Sequence, residues 1–459
     1  MRVGKLLSET DTRQQCLQML REFFPLLIAL SLTTLLSLAV NLVDNFMLGR
    51  YSEQTMAAAA LVNQIQFLLH EITIGIGAGV SVLGSQYWGK KETGPIKKVM
   101  SIGLKFGIGA GLLFTVVTAA IPEKVLFLFT NDAALVDLAC DYLGIMCWTY
   151  LIFGMSSALM FSMQAVESAV IGTVMSAFTI VINATLNYIF IFGNFGAPEL
   201  GIKGAAVATV TSRIVELITI LVYILVIDKK LHTTVSDLIH TDLTYFGDFA
   251  KAAVPVMVSG AIWGLGQACQ TAILGHISES AIAANSIALI FAQLIGSFGM
   301  SCGAAASVTM GKTVGSGKRE LIKPFTITLQ LAFLAIGVAS GTVILLCRNL
   351  IVNLYVLSGE TRELTLSFLI IFGITIMGSI YEYPVQGGII AGGGNPRYQV
   401  IIDNIGIWCW TIPFAYLSAF VFGWSPVVTF FILKSDQLLK CIPNSIYCNS
   451  YKWVRDLTR

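Results

Sequence analysis

Twelve apolar stretches, each long enough to cross a lipid bilayer, constrain this chain more than any other feature, and they fall into two sets of six in which the second follows the first at a spacing of about 226 residues. A bilayer's hydrocarbon core takes about 20 apolar residues of helix. Inside it every backbone polar group must be paired within the protein, which leaves helices or closed barrels as the spanning structures. The first six stretches run over residues 24–48, 58–82, 99–121, 140–164, 170–192 and 205–227; the second six over 252–277, 284–310, 325–346, 366–390, 399–421 and 427–442. These are helix lengths, not strand lengths. With 56% hydrophobic and 12% charged residues and a mean hydropathy of +0.79, the chain reads as an all-α integral membrane protein. The expected architecture is twelve transmembrane helices in two pseudo-symmetric six-helix lobes around a central cavity. An N-terminal segment covers 1–22, the lobes 23–227 and 250–442, a connector 228–249 and a tail 443–459.

The spacing is visible residue by residue. Gly77-Ala78-Gly79-Val80-Ser81-Val82 is echoed by Gly303-Ala304-Ala305-Ala306-Ser307-Val308, and Leu48-Gly49-Arg50 by Leu274-Gly275-His276. Gly89 falls on Gly315 and Lys97 on Lys323. Parallel halves of this kind are related by an axis along the membrane normal, which secondary transporters use to rock two bundles around one site.

The formal net charge of +2 gives no reason to expect a nucleic-acid partner, but the placement of Lys and Arg sets an orientation. With the N-terminus inside, twenty lie in inner segments and five (Arg50, Lys124, Lys203, Arg348 and Arg362) in outer loops, while Lys105, Arg213 and Lys434 fall within spans or at their ends. The positive-inside rule then places both termini in the cytoplasm of a cell-membrane protein. Residues 1–22 are polar and show neither a short apolar core nor a small-residue cleavage site, so the first span is expected to remain as an anchor. The outer loop 123–139 carries a helix start at Asn131-Asp132.

Most other motifs read as packing. The nine cysteines show no Cys-x-x-Cys spacing and the four histidines are scattered, so neither a metal nor another cofactor is expected. Gly311 to Lys318 has the wrong glycine spacing for a phosphate loop, and Arg319 stands where Ser or Thr is needed. Glycines four apart, Gly103/Gly107/Gly111 and Gly260/Gly264, suit close approach of helix backbones.

Chemistry is expected at ionisable groups inside spans, since each is costly in lipid. Thr34, Ser37, Asn41 and Asp44 recur on one stripe of the first span, and Ser176, Thr179, Asn183 and Asn187 on one stripe of the fifth. Asn amides can bond Asp44 whether it is protonated or ionised, which makes Asp44, Asn183 and Asn187 candidates for a cation-coupling group. Asn41 and Thr179 border it as cavity residues. The shift of 226 carries Asp44 onto Gln270, so the second half lacks this acid. It has its own intramembrane acids, Glu382 and Asp403, and a polar-aromatic stripe of Trp263, Gln267 and Gln270 suited to a cationic aromatic substrate. Glu382 is a further candidate for the substrate cavity. Arg213 and Glu216, three apart on the sixth span, are expected to neutralise each other. The adjacent His70 and Glu71 point to different faces.

Val43-Asp44-Asn45-Phe46-Met47-Leu48-Gly49, Ser85-Gln86-Tyr87-Trp88-Gly89-Lys90, Asn183 with Asn187-Tyr188-Ile189-Phe190-Ile191-Phe192-Gly193, and the tail Lys452-Trp453-Val454-Arg455-Asp456-Leu457-Thr458 together give the chain a resemblance to MATE (multidrug and toxic compound extrusion) transporters of the bacterial DinF-like branch. The resemblance covers nearly the whole chain. It implies two six-helix lobes forming a V-shaped cavity, and export of organic cations in exchange for protons or sodium ions. It also implies that Asp44 is the first-helix carboxylate whose protonation or ion binding bends that helix, with Asn183 its polar partner. Asn187 stands where some members carry a second aspartate, and Trp263 where sodium-dependent members carry a glutamate. Gln164-Ala165-Val166-Glu167 replaces the usual Arg-Ala-x-Gly, whereas Ala391 to Arg397 keeps a glycine-rich form.

The sequence therefore predicts a monomeric antiporter, not an enzyme, whose partners are a small amphipathic organic cation and the lipid bilayer. A flippase for a lipid-linked precursor is the alternative, and it would need a strongly cationic interior. An integral membrane enzyme would need a clustered catalytic set at one membrane depth.

Overall fold

The computed structural model describes the backbone of residues 2–130, 132–240, 242–277, 279–353 and 357–458. Asn131, half of the helix start expected at 131–132, and Arg459, counted with the inner cations, lie outside these residues. Among the described residues there is no strand. Helices follow in the order α1 Arg2–Tyr51, α2 Glu53–Lys90, α3 Thr93–Ala120, α4 Pro122–Leu126, α5 Ala133–Ala165, α6 Val170–Phe192, α7 Ile202–Val222, α8 Val235–Ile239, α9 Phe246–Ile277, α10 Glu279–Gly315, α11 Arg319–Val352, α12 Gly359–Tyr383, α13 Pro396–Asn404, α14 Ile412–Tyr416, α15 Pro426–Leu439 and α16 Cys441–Asn449.

Eleven helical runs among the described residues are long and apolar enough to cross a membrane. The twelfth expected span, 427–442, is carried by α15 and α16. Lys440 between them keeps helical torsions (φ −64°, ψ −20°), its N–H bonds the Asp436 carbonyl at 2.8 Å, and its own carbonyl accepts from the Asn444 N–H at 3.1 Å, so one helical path runs from Pro426 to Asn449. The twelve-helix expectation therefore stands, with α1 extending through the segment expected to precede it. The turns after Pro384 and those flanking Pro413 widen to an i to i+5 pattern, as happens where a proline removes a helical N–H.

The chain forms two compact units. One comprises Leu32–Trp88 and Glu92–Met257; the other comprises Met1–Ser31, Gly89–Lys91 and Val258–Arg459. Three helices are thus divided: α1 after Ser31, α2 after Trp88 and α9 after Met257.

In the first unit α3 packs on α5 where two glycines face each other. A Cβ on Gly107 would lie 2.2 Å from the Gly154 carbonyl oxygen and one on Gly111 2.6 Å from that of Tyr150, so only hydrogen side chains permit the approach. Leu48, Leu69, Leu126, Tyr142 and Tyr150 fill the adjoining core. The connector docks on the start of α3. Thr234 and Asp237 form a capping box for α8, Lys97 binds Asp237 at 3.1 Å, Lys98 binds Asp242 at 2.7 Å, and the Ser101 hydroxyl donates to the carbonyls of Leu238 and His240. The Lys98 ammonium holds the Asp242 carboxyl well below the usual carboxylate range. For Asp237 the partial burial that would raise it is outweighed by the bonds from Thr234 and Lys97, which lower it.

The second unit repeats the glycine device. A Cβ on Gly341 of α11 would meet the Gly373 carbonyl of α12 at 2.4 Å, and Phe368 stacks on Phe430 with centroids 4.0 Å apart. Gly264, expected to serve close packing, instead has open space beside it. The tail docks through Trp453, which is fully buried against Gly393, while the Arg455 N–H bonds the Gly393 carbonyl at 2.8 Å and Asp456 pairs with Lys90 at 3.4 Å. All nine cysteines are free thiols.

Candidate functional site

Helix α6 places its polar stripe because residues 179, 183 and 187 are four apart, one helical turn each. All three are buried. Gly193, in the left-handed region at φ +70°, ends the helix, and its N–H caps the Ile189 carbonyl. Asp44 of α1 lies against this stripe and is itself 9% exposed.

The Asn187 amide nitrogen donates to the Asp44 carboxylate and, at 3.2 Å, to the Asn183 side-chain oxygen. The Asn183 amide in turn donates to the Thr209 hydroxyl of α7 at 3.3 Å. The side-chain oxygen of Asn187 is buried and accepts no hydrogen bond among the described residues. Arg213 stands one turn after Thr209 on α7. Its guanidinium is bound by Glu216 at 2.7 Å and lies 5.2 Å from the Phe153 ring centre, which is the mutual neutralisation expected of an i, i+3 pair. Asn41, one turn before Asp44, is exposed and stays outside this group, whereas Thr179 is buried on the Asn183 stripe. Thr209 was not anticipated, because α7 carries three threonines, Thr209, Thr211 and Thr219, and the sequence does not mark which of them faces α6.

The second unit holds the remaining candidates. Trp263 is 37% exposed, while Gln270 is buried and accepts from the Lys434 ammonium at 3.3 Å. Gln267 lies between them on α9, partly buried. Glu382 is 3% exposed, and its carboxylate lies 3.3 Å from the Lys440 ammonium, which also reaches Asp403 at 3.0 Å and Asp436 at 3.3 Å. Gln386 donates to Asp403 at 2.9 Å, and Asn444 donates to Glu382 and Gln386 at 3.3 Å each. Lys440, counted among the twenty inner cations, has a side chain only 12% exposed. The signal was present in the sequence: Asp436, Lys440 and Asn444 are four apart and share one helix face.

Among the described residues no group of three or more His, Cys, Asp or Glu side chains forms a metal-holding cluster. His70 and Glu71 come no closer than 4.0 Å, beyond hydrogen-bond distance. Two apolar recesses of about 460 and 480 Å³ flank Lys105 on the first unit, and neither is lined by Asp44 or its partners.

The chain is similar to a probable multidrug resistance protein NorM of Bradyrhizobium diazoefficiens, at 27% identity over 88% of this chain and 87% of the relative. It is similar to the probable multidrug resistance protein YoeA of Bacillus subtilis at 24% identity, over 85% of each chain. In fold it is similar to the Vibrio cholerae MATE transporter VcmN in its bent form, with a TM-score of 0.86 at 16% identity over 96% of this chain and 100% of the other. The MatE family model matches residues 29–189 and again residues 255–417, the second match beginning at the spacing read from the internal repeat. With both halves matched in register and the twelve-helix architecture in place, this chain belongs to the MatE family of transporters.

Proposed function

We propose that the protein is a secondary antiporter of the cell membrane that exports amphipathic organic cations in exchange for protons or sodium ions, with Asp44, Asn187 and Asn183 as the coupling group. Both termini lie in the cytoplasm, in keeping with the distribution of Lys and Arg. The multidrug-resistance names of its relatives support the substrate class. The observation that carries the coupling reading is the pairing around Asp44. An ionised Asp44 accepts from the Asn187 amide nitrogen, and a protonated Asp44 would become a donor beside the unpartnered Asn187 oxygen. The same two side chains thus satisfy both protonation states, which favours the proton as coupling ion. Ion and substrate must prefer opposite conformations for either gradient to drive the other.

A phosphate-binding flippase has less support, since Arg213 and Lys440 are each held by carboxylates and Lys105 donates to the Ile239 carbonyl. The test is proton movement on substrate addition to proteoliposomes, read by a trapped pH dye. Substrate-dependent proton flux is expected; flux seen only with sodium would contradict the proton assignment.

A further inference from the structure

Among the described residues, the densest buried cluster of charge lies in the second unit, where one ammonium meets three carboxylates. Lys440 reaches Glu382, Asp403 and Asp436 at 3.0 to 3.3 Å, and these acids come from three different helical segments. Carboxylates converging from separate elements on one point are the ligand chemistry of a hard cation. Here that point is filled by the end of a side chain from the protein itself. The buried Asn444 adds a further acceptor, because its amide nitrogen bonds Glu382 and Gln386 while its oxygen has no partner.

Charge counting adds a second constraint. Lys434, which is buried, is the further lysine to count in this unit, and its ammonium is engaged with Gln270, so two ammoniums stand against three carboxylates. One negative charge remains to be offset. An alkali ion would need several oxygens at once, and the point at which they meet is taken. A proton needs only one oxygen.

We propose that Lys440 is a tethered cation that closes this cage to sodium while leaving it open to a proton, making Lys440 a selectivity-determining residue of the second unit. Its meaning for transport rests on the antiport reading. The test, however, measures binding without substrate or gradient, so failure of transport and failure of this proposal are separately visible.

Purified protein is compared in sodium and in choline at matched ionic strength, by equilibrium binding of radiolabelled sodium and by thermal unfolding. The wild type is expected to show no saturable sodium binding that Asp403→Asn removes. Lys440→Gln is expected to gain saturable binding and a sodium-dependent rise in Tm of about 2 °C or more. Adding Asp403→Asn to that variant should abolish both gains. Should Lys440→Gln fail to fold in either salt, Lys440→Gln with Asp436→Asn leaves two carboxylates in place and is expected to gain sodium binding too. Wild-type sodium binding lost in Asp403→Asn would overturn the proposal. So would a folded Lys440 variant that binds no sodium.

Discussion

At the residue scale, the proposed coupling rests on which buried polar atoms have partners. Hydrogen bonds to charged groups contribute about 1.5 to 3 kcal/mol. Asn187→Leu removes the donor to Asp44 and is therefore predicted to lower proton-driven efflux by about tenfold or more, with substrate exchange at equal pH retained; equal loss of both would show a structural role only. Thr209→Val removes a neutral bond at the far end of the hydrogen-bonded chain and should cost no more than about fivefold in the same assay. Asp44, Asn183 and Asn187 were legible in the sequence because helical spacing puts them on stripes. Thr209 and the Lys440 cage were not legible, the first because α7 carries three threonines and nothing in the sequence singles out the one that meets Asn183. The second was missed because a lysine near a span end is read as an orienting charge until its burial is seen.

At the element scale, glycine contacts and docked segments set the stability. Gly154→Leu places a side chain where the Gly107 carbonyl lies 2.2 Å from an added Cβ, and should abolish folding detectable by size-exclusion chromatography; a monodisperse variant would refute the close contact. Trp453→Ala removes a fully buried indole and should destabilise by about 3 to 5 kcal/mol, read as a fall in Tm. The connector gives a pH prediction. The carboxyls of Asp237 and Asp242 titrate lower folded than unfolded, so their contribution is present above the unfolded value of about 3.9 and is lost as pH falls through the lower folded values. Protection from hydrogen exchange across residues 228–249 should therefore be the same at neutral and mildly acidic pH and fall below about pH 4. Protection already lost at mildly acidic pH would point to other groups. The helical spans were legible because length and hydropathy suffice for them. Where α1, α2 and α9 divide between units was not, since a continuous helix carries no boundary in its composition.

At the scale of the whole molecule, the internal repeat and the family match agree on two matched halves of the chain, and the two units hold different polar groups. The first unit holds Asp44 among amides; the second holds a lysine-bound cage. Everything proposed for transport turns on coupling through Asp44. It is tested by efflux of a fluorescent organic cation from proteoliposomes under an imposed pH gradient, with wild type beside Asp44→Asn and gradient-free exchange of the same dye as the control. Asp44→Asn is predicted to abolish gradient-driven efflux and keep exchange. Full gradient-driven efflux by Asp44→Asn would show that the carboxylate carries no coupling.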